Sequence, residues 1–171
     1  MARALPGQVV LVFQGGGALG AYQAGVYEAL HEAGIEPDWV IGTSIGAINA
    51  ALIAGNPPAK RMARIDAFWN RMQASKAGDP LGWLSGFGAA GANLGTLARG
   101  IPGFFAPNPA AWLGPHLPLG AERAAYYTTA PLRDTLEELL EPGGLGRGPR
   151  ITVGAVNVRT GQMRYFDSRD A

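Results

Sequence analysis

Two short runs place chemistry-bearing groups at fixed intervals. The first is Gly42-Thr43-Ser44-Ile45-Gly46, a serine with a glycine two positions to either side. It stands where strand-like Trp39-Val40-Ile41 gives way to the helix-like INAALIAG. A serine on a tight strand-to-helix turn presents its hydroxyl outward as a nucleophile, and flanking glycines relieve the crowding. The second run is Gly15-Gly16-Gly17-Ala18-Leu19-Gly20, which satisfies G-x-G-x-x-G between a strand and a helix. Such a loop has two uses. It can cradle a dinucleotide pyrophosphate, or it can aim the backbone N–H groups of Gly15, Gly16 and Gly17 at a developing oxyanion. The first use also wants an acid at the end of the second strand to hold a ribose. Here Glu36 and Asp38 precede that strand, and Gly42-Thr43-Ser44 occupy the acid's place. A dinucleotide-binding module built on Gly15–Gly20 therefore stands as the alternative reading. No Gly-Lys-Ser/Thr is present, which excludes a P-loop.

A nucleophilic serine needs a base. The chain has two histidines, His31 and His116. In α/β-hydrolases the order is serine, acid, histidine, so only His116 lies on the correct side, and Gly114-Pro115-His116-Leu117-Pro118 reads as a loop. His31, inside the first helical run beside Glu32, reads as a surface residue. A serine–carboxylate dyad is the remaining arrangement. There are no cysteines, which excludes disulfides, cysteine-held metals and thiol catalysis. Neither histidine has metal-ligand spacing, so neither metal nor cofactor is expected.

The elements that must position these runs are legible in outline. Residues 8–13 (QVVLVF) suit a buried parallel strand. Leu19, Tyr22, Val26, Ala29/Leu30 and Ala33 then fall at helical spacing, with Gly34 as the stop. With the strand at 39–41 this makes a βαβ unit over residues 8–57, a parallel sheet and a right-handed crossover. Both strands then end at one edge, so the glycines and Ser44 face a common crevice. Residues 59–76 place Met62, Ile65, Phe68/Trp69 and Met72 on one face, and Lys60, Arg61, Arg64, Arg71 and Lys76 against a single acid, Asp66. This reads as a core-packed helix with a solvated outer face, and its other use is an anionic membrane surface. Residues 78–121 are rich in Gly, Pro and Ala, with Trp83, Phe87, Phe104, Phe105 and Trp112, and read as an inserted lid or binding segment. Beyond Thr128-Thr129, a helix with Leu132, Leu136, Leu139 and Leu140 inward ends at Pro142-Gly143-Gly144. Residues 151–168 read as a terminal hairpin turning at Arg159-Thr160-Gly161.

At 171 residues the chain is long enough for a single domain burying roughly 70% of its unfolded surface. A hydrophobic share of 47% and a charged share of 16% mark a globular rather than a disordered chain. The net charge of +1 gives no whole-chain attraction to nucleic acid. No signal-peptide core stands out, and no apolar run approaches the ~20 residues needed to span a bilayer. A cytoplasmic protein is expected, with no identifiable protein partner.

These motifs resemble the patatin-like phospholipase family: "GGGALGAY" after an apolar strand, "GTSIGAINA" at the serine, and more loosely "PLRDTLEELL" and "ITVGAVNVRTGQMRYFD". The resemblance implies a three-layer α/β/α fold with a mainly parallel sheet. It also implies hydrolysis of lipid acyl esters by a Ser–Asp dyad without a metal, with a lipid substrate and a peripheral place at a membrane. By position, Ser44 is the nucleophile, Gly15, Gly16 and Gly17 form the oxyanion hole, and Gly20, Gly42 and Gly46 have structural roles. The family's aspartate sits in an Asp-Gly-Gly or Asp-Gly-Ala motif. Here Asp38, Asp66, Asp79, Asp134, Asp167 and Asp170 are followed by Trp, Ala, Pro, Thr, Ser and Ala, and Asp167 matches a non-catalytic position. No dyad aspartate is assigned in this chain. It is expected to be one partial domain, C-terminally incomplete, nearly inactive alone and poorly soluble. A catalytically inactive lipid-binding remnant is the further alternative.

Overall fold

The computed structural model describes residues 7–77, 103–108 and 127–170. Most of residues 78–121, His116 among them, lies outside the described residues. The chain divides into two units, residues 1–67 with 139–171, and residues 68–138.

The first unit holds a four-stranded sheet, β1 (Val10–Phe13), β2 (Trp39–Thr43), β5 (Arg150–Val156) and β6 (Met163–Asp167), in that spatial order. β1, β2 and β5 are parallel, and β6 returns antiparallel to β5. This mixed, mostly parallel sheet with its helices is the expected α/β architecture. The first strand begins at Val10, two residues later than expected.

Two helices follow the first two strands, α1 (Gly20–Glu32) and α2 (Ile45–Ala54). From Trp39 to Ala59 the chain carries no charged residue, and α2 buries eight of its ten positions. A helix apolar all round belongs in a core, and α2 packs on β1, β2, β5 and α1. Leu52, Ile53, Ala50 and Ala54 are completely buried with Val40 of β2 and Tyr27 of α1. The apolar spacing on α1 marks the helix but not its inner face. Leu19, Tyr22 and Val26 are 63%, 78% and 38% exposed. The buried positions are instead Gly20, Gln23 and Tyr27, because α2 meets α1 through polar side chains rather than an aliphatic stripe.

α3 (Pro58–Ala77) begins in the first unit. Its Ile65 is buried, but so is Arg61, at 4% exposure, which corrects the solvated face expected of it. Arg61 donates from Nε to Asn56 O at 3.0 Å and from Nη1 to Glu36. Lys60 Nζ donates to Glu141 Oε1 at 2.7 Å, and Arg64 lies 3.9 Å from the same oxygen. His31 is also no free surface residue. It is half-buried and pairs with Glu36, which further accepts from Tyr27 Oη at 2.9 Å. The turn at 143–148 closes on the end of α2. A Cβ at Gly144 would overlap Gly55 O, and one at Gly148 would overlap Ala54 O.

The second unit contains the rest of α3, a short antiparallel pair β3 (Ala106–Pro107) and β4 (Tyr127–Thr128), and α4 (Ala130–Leu139), whose last residue falls in the first unit. Phe105 packs edge-on against Tyr127 with ring centroids 4.9 Å apart. Thr135 Oγ1 of α4 donates to Gly103 O at 2.9 Å, and Arg71 of α3 pairs with Glu138. Thr135 and Leu139 are buried on α4, while Leu132, Leu136 and Leu140 are half-buried.

Candidate active site

Ser44 is the single residue joining β2 to α2, and among the described residues it is the one non-glycine with positive φ (φ 55°, ψ −126°). Such a backbone costs on the order of 1–3 kcal/mol and persists only where its surroundings over-determine it. Two glycines make that possible. A Cβ at Gly42 would overlap Gly46 O and sit 2.6 Å from Ala47 Cα. A Cβ at Gly46 would overlap Phe13 O and sit 2.8 Å from Gln14 O. Strand β2, helix α2 and the end of β1 are thus pressed together at backbone distance, and between the two glycines Ile45 is buried while Thr43 and Ser44 are exposed. Ser44 is exposed, and its hydroxyl makes no hydrogen bond to another described residue. Its carbonyl accepts from Ala47 N at 2.9 Å and Ile48 N at 3.3 Å, which starts α2. The positive end of that helix dipole lies at the serine.

The glycine loop faces it. β1 ends at Phe13, and after Gln14 the chain runs through Gly15 and Gly16 into a 3-10 turn, Gly17–Leu19, ahead of α1. Gly16 has φ 148° and Gly17 φ 56°, conformations that glycine adopts readily. A Cβ built on Gly15 would stand 3.3 Å from Ser44 Cβ and 3.9 Å from Ser44 Oγ. Among the described residues, the N–H groups of Gly15, Gly16 and Gly17 donate to no backbone carbonyl. The structure therefore brings Ser44, Gly15, Gly42 and Gly46 together, with Gly16 and Gly17 on the same loop and Gly20 at its far end.

Two side chains that sequence reasoning passed over stand behind this hollow. Asn49 of α2 donates from Nδ2 to Gly20 O at 2.9 Å and to Gln23 Oε1 at 3.1 Å. Gln23 donates from Nε2 to Gln14 O at 2.7 Å. The available signal was a lone asparagine inside an otherwise apolar helix, IGAINAALIA.

Among the described residues, no carboxylate is hydrogen-bonded to Ser44 at the end of β2. Glu36 is committed to Tyr27, His31 and Arg61. Burial alone would raise its pKa, but the hydrogen bonds from His31 and Tyr27 and the Arg61 charge outweigh this and hold it below the usual range. Asp38 accepts from Val9 N at 2.8 Å. Neither acid flanking β2 on its N-terminal side is therefore free to anchor the ribose that a dinucleotide site requires. Asp167 is engaged as well. Arg150 Nε donates to both its oxygens, at 3.0 and 2.9 Å, and Thr152 Oγ1 donates to Oδ2. Those bonds, Arg150 foremost, hold Asp167 well below the ordinary carboxylate range.

Two cavities, of about 400 and 420 Å³, lie elsewhere. One is lined by Asn56, Arg61, Glu141 and Arg147 at the far end of α2. The other surrounds Asp38, Arg150 and Ser168, beside the start of β2. Both are at the sheet edge away from Ser44, which sits at the opposite end of β2 and α2. Neither coincides with the serine and the glycine loop.

A patatin-like phospholipase model matches residues 11–170. The chain belongs to the patatin-like phospholipase family. Among curated relatives, lysophospholipase nte1 of Aspergillus terreus is 58% identical over 55 residues, 32% of this chain and 4% of that protein. Patatin-like phospholipase domain-containing protein 6 of Homo sapiens is 42% identical over 76 residues, 44% of this chain and 6% of that protein. Patatin-like phospholipase domain-containing protein 7 of Rattus norvegicus is 51% identical over 55 residues, again 4% of its length. The patatin-like chain thus aligns with only a small part of each of these relatives. No solved structure matches it. Among its described residues, no helix is long and apolar enough to cross a membrane.

Proposed function

We propose that this chain carries the serine half of a lipid acyl hydrolase, of phospholipase or esterase type. Ser44 attacks the acyl ester carbonyl. The N–H groups of Gly15, Gly16 and Gly17 receive the oxyanion, and Gly20, Gly42 and Gly46 keep the turn and loop in shape. The proton leaves Ser44 for an aspartate that completes the dyad, and the alcohol departs with that proton. Water then attacks the acyl-serine, the same carboxylate taking the water proton and returning it to Ser44 Oγ as the fatty acid is released. None of the chain's aspartates stands in an Asp-Gly pair, so the dyad aspartate is assigned to no residue of this sequence. Without its general base a site of this kind loses on the order of 10²–10⁴ in rate, and the 171 residues alone should turn over esters barely or not at all.

One observation carries the reading. An exposed serine in a strained backbone conformation stands so close to Gly15 that a Cβ built there would lie 3.3 Å from Ser44 Cβ, and the glycine loop has N–H groups to spare. The family and the lysophospholipase named among the relatives support a lipid ester as substrate. We read the chain as one partial domain, with residues 78–121 inserted, working in the cytoplasm or peripherally at a lipid surface.

The test is a fluorophosphonate probe, which phosphonylates a serine only where an oxyanion site supports it. Labelling that disappears in Ser44→Ala is expected. Labelling that survives in Ser44→Ala would place the nucleophile elsewhere. Saturable binding of NAD or FAD at micromolar ligand would favour the nucleotide-binding alternative instead.

A further inference from the structure

We infer that Asn49 and Gln23 are positioning residues which hold both ends of the glycine loop to the helix that begins at Ser44. The inference rests on the reading of that loop as the oxyanion site and goes beyond it by naming what fixes its geometry.

The loop has little packing to hold it. Gly16, Gly17, Ala18 and Leu19 are all exposed, and nothing lies within 4 Å of a Cβ built on Gly17. Within it, Leu19 N donates to Gly16 O at 3.2 Å. Its ends are different. Gln14 O accepts from Gln23 Nε2 at 2.7 Å, and Gly20 O accepts from Asn49 Nδ2 at 2.9 Å. The two carboxamides are joined to each other by the 3.1 Å bond from Asn49 Nδ2 to Gln23 Oε1. Asn49 is 1% exposed and Gln23 9%. Asn49 lies on α2, little more than one turn after the serine. A bond path therefore runs from the serine helix through two buried amides to the residue before Gly15 and to the residue after Leu19.

Two apolar side chains could seal α1 on α2 without desolvating polar groups, whose burial is costly unless bonded. The amides spend their bonds on main-chain carbonyls at the loop's two ends, where they fix position as well as fill space. Oxyanion donors work only at hydrogen-bond distance from the developing charge, and an error of about 1 Å can cost on the order of 10²-fold.

The experiment uses the full chain and two variants. Gln23→Met conserves volume and removes the bond to Gln14 O. Asn49→Ser removes the reach to Gly20 O while keeping a small polar group. Backbone amide exchange is followed across residues 14–20 and across the hairpin 150–167, alongside the rate of fluorophosphonate labelling at Ser44. We expect exchange in the loop to accelerate about tenfold or more with the hairpin unchanged, and labelling to slow by about tenfold to a hundredfold. Loop exchange that stays at the parent rate in a folded variant, or that rises only in step with the hairpin, overturns the inference. So does a labelling rate that stays at the parent value while the loop loosens. If the parent chain is not labelled, the missing base accounts for it, and loop exchange in the two variants decides alone: selective loosening supports the inference, and a loop that does not loosen selectively overturns it.

Discussion

Ser44 has a backbone that its own side chain disfavours, and this separates stability from chemistry at one position. Ser44→Gly should raise the unfolding free energy by about 1 kcal/mol, because glycine occupies φ 55° without a Cβ penalty. Probe labelling should vanish in the same variant. Thermal unfolding of the two chains checks it. Gly46→Ala goes the other way. The added methyl would meet Phe13 O and Gln14 O, and backbone cannot rotate aside as a side chain can. A loss of about 3 kcal/mol or more, or failure to accumulate folded protein, is expected. This part of the site was readable from the sequence because the serine and both glycines fall within five consecutive residues, even though Gly46 is crowded by Phe13 and Gln14 from the end of β1. The cluster around Glu36 was not. Its partners Tyr27, His31 and Arg61 come from α1 and α3, and nothing in their spacing shows that they meet.

The helices divide along the same line. α2 was legible because an uncharged, apolar run of helix length has no stable place but a core. Ile53→Ala, at a fully buried position, should cost about 2–5 kcal/mol in urea unfolding. The inner face of α1 was not legible, since aliphatic spacing pointed to Leu19, Tyr22 and Val26 while the packed positions are Gly20, Gln23 and Tyr27. Periodicity reports hydrophobicity, and the bonds of this contact run through a glycine carbonyl and two amides. Burial pushes the Tyr27 hydroxyl up to about 12. Its neutral form is therefore favoured in the folded state. The resulting stability is present below the ordinary tyrosine value of ~10 and is lost as pH rises towards 12. Tyr27→Phe should flatten the alkaline limb of a stability profile measured between pH 9 and 12.

Across the sheet, the last three strands are tied by one carboxylate. Asp167 on β6 binds Arg150 and Thr152 on β5. The Arg150 guanidinium lies 4.0 Å over the Trp39 ring of β2, whose Nε1 donates to Thr152 Oγ1 at 2.9 Å. Asp167 and Glu36 both have depressed pKa values. Their contributions are complete above the unfolded carboxylate range of ~4 and are lost as pH falls through the lower folded-state values. Asp167→Asn should lower stability at neutral pH and make it less steeply dependent on pH below 4, as read from denaturation midpoints. The β1–β2 pair and the β5–β6 hairpin were legible from the βαβ and hairpin signals, but this tie was not, because Trp39 stands more than a hundred residues from Thr152 in sequence.

The glycines that close the 143–148 turn on the carbonyls of Ala54 and Gly55 imply a keyed fit. Sliding the chain there by a single residue would thrust Leu145 or Arg147 into the slot meant for hydrogen alone. The alignment of β5 beside β2 is then dictated from outside the ladder as well, by the blunt end of a neighbouring helix.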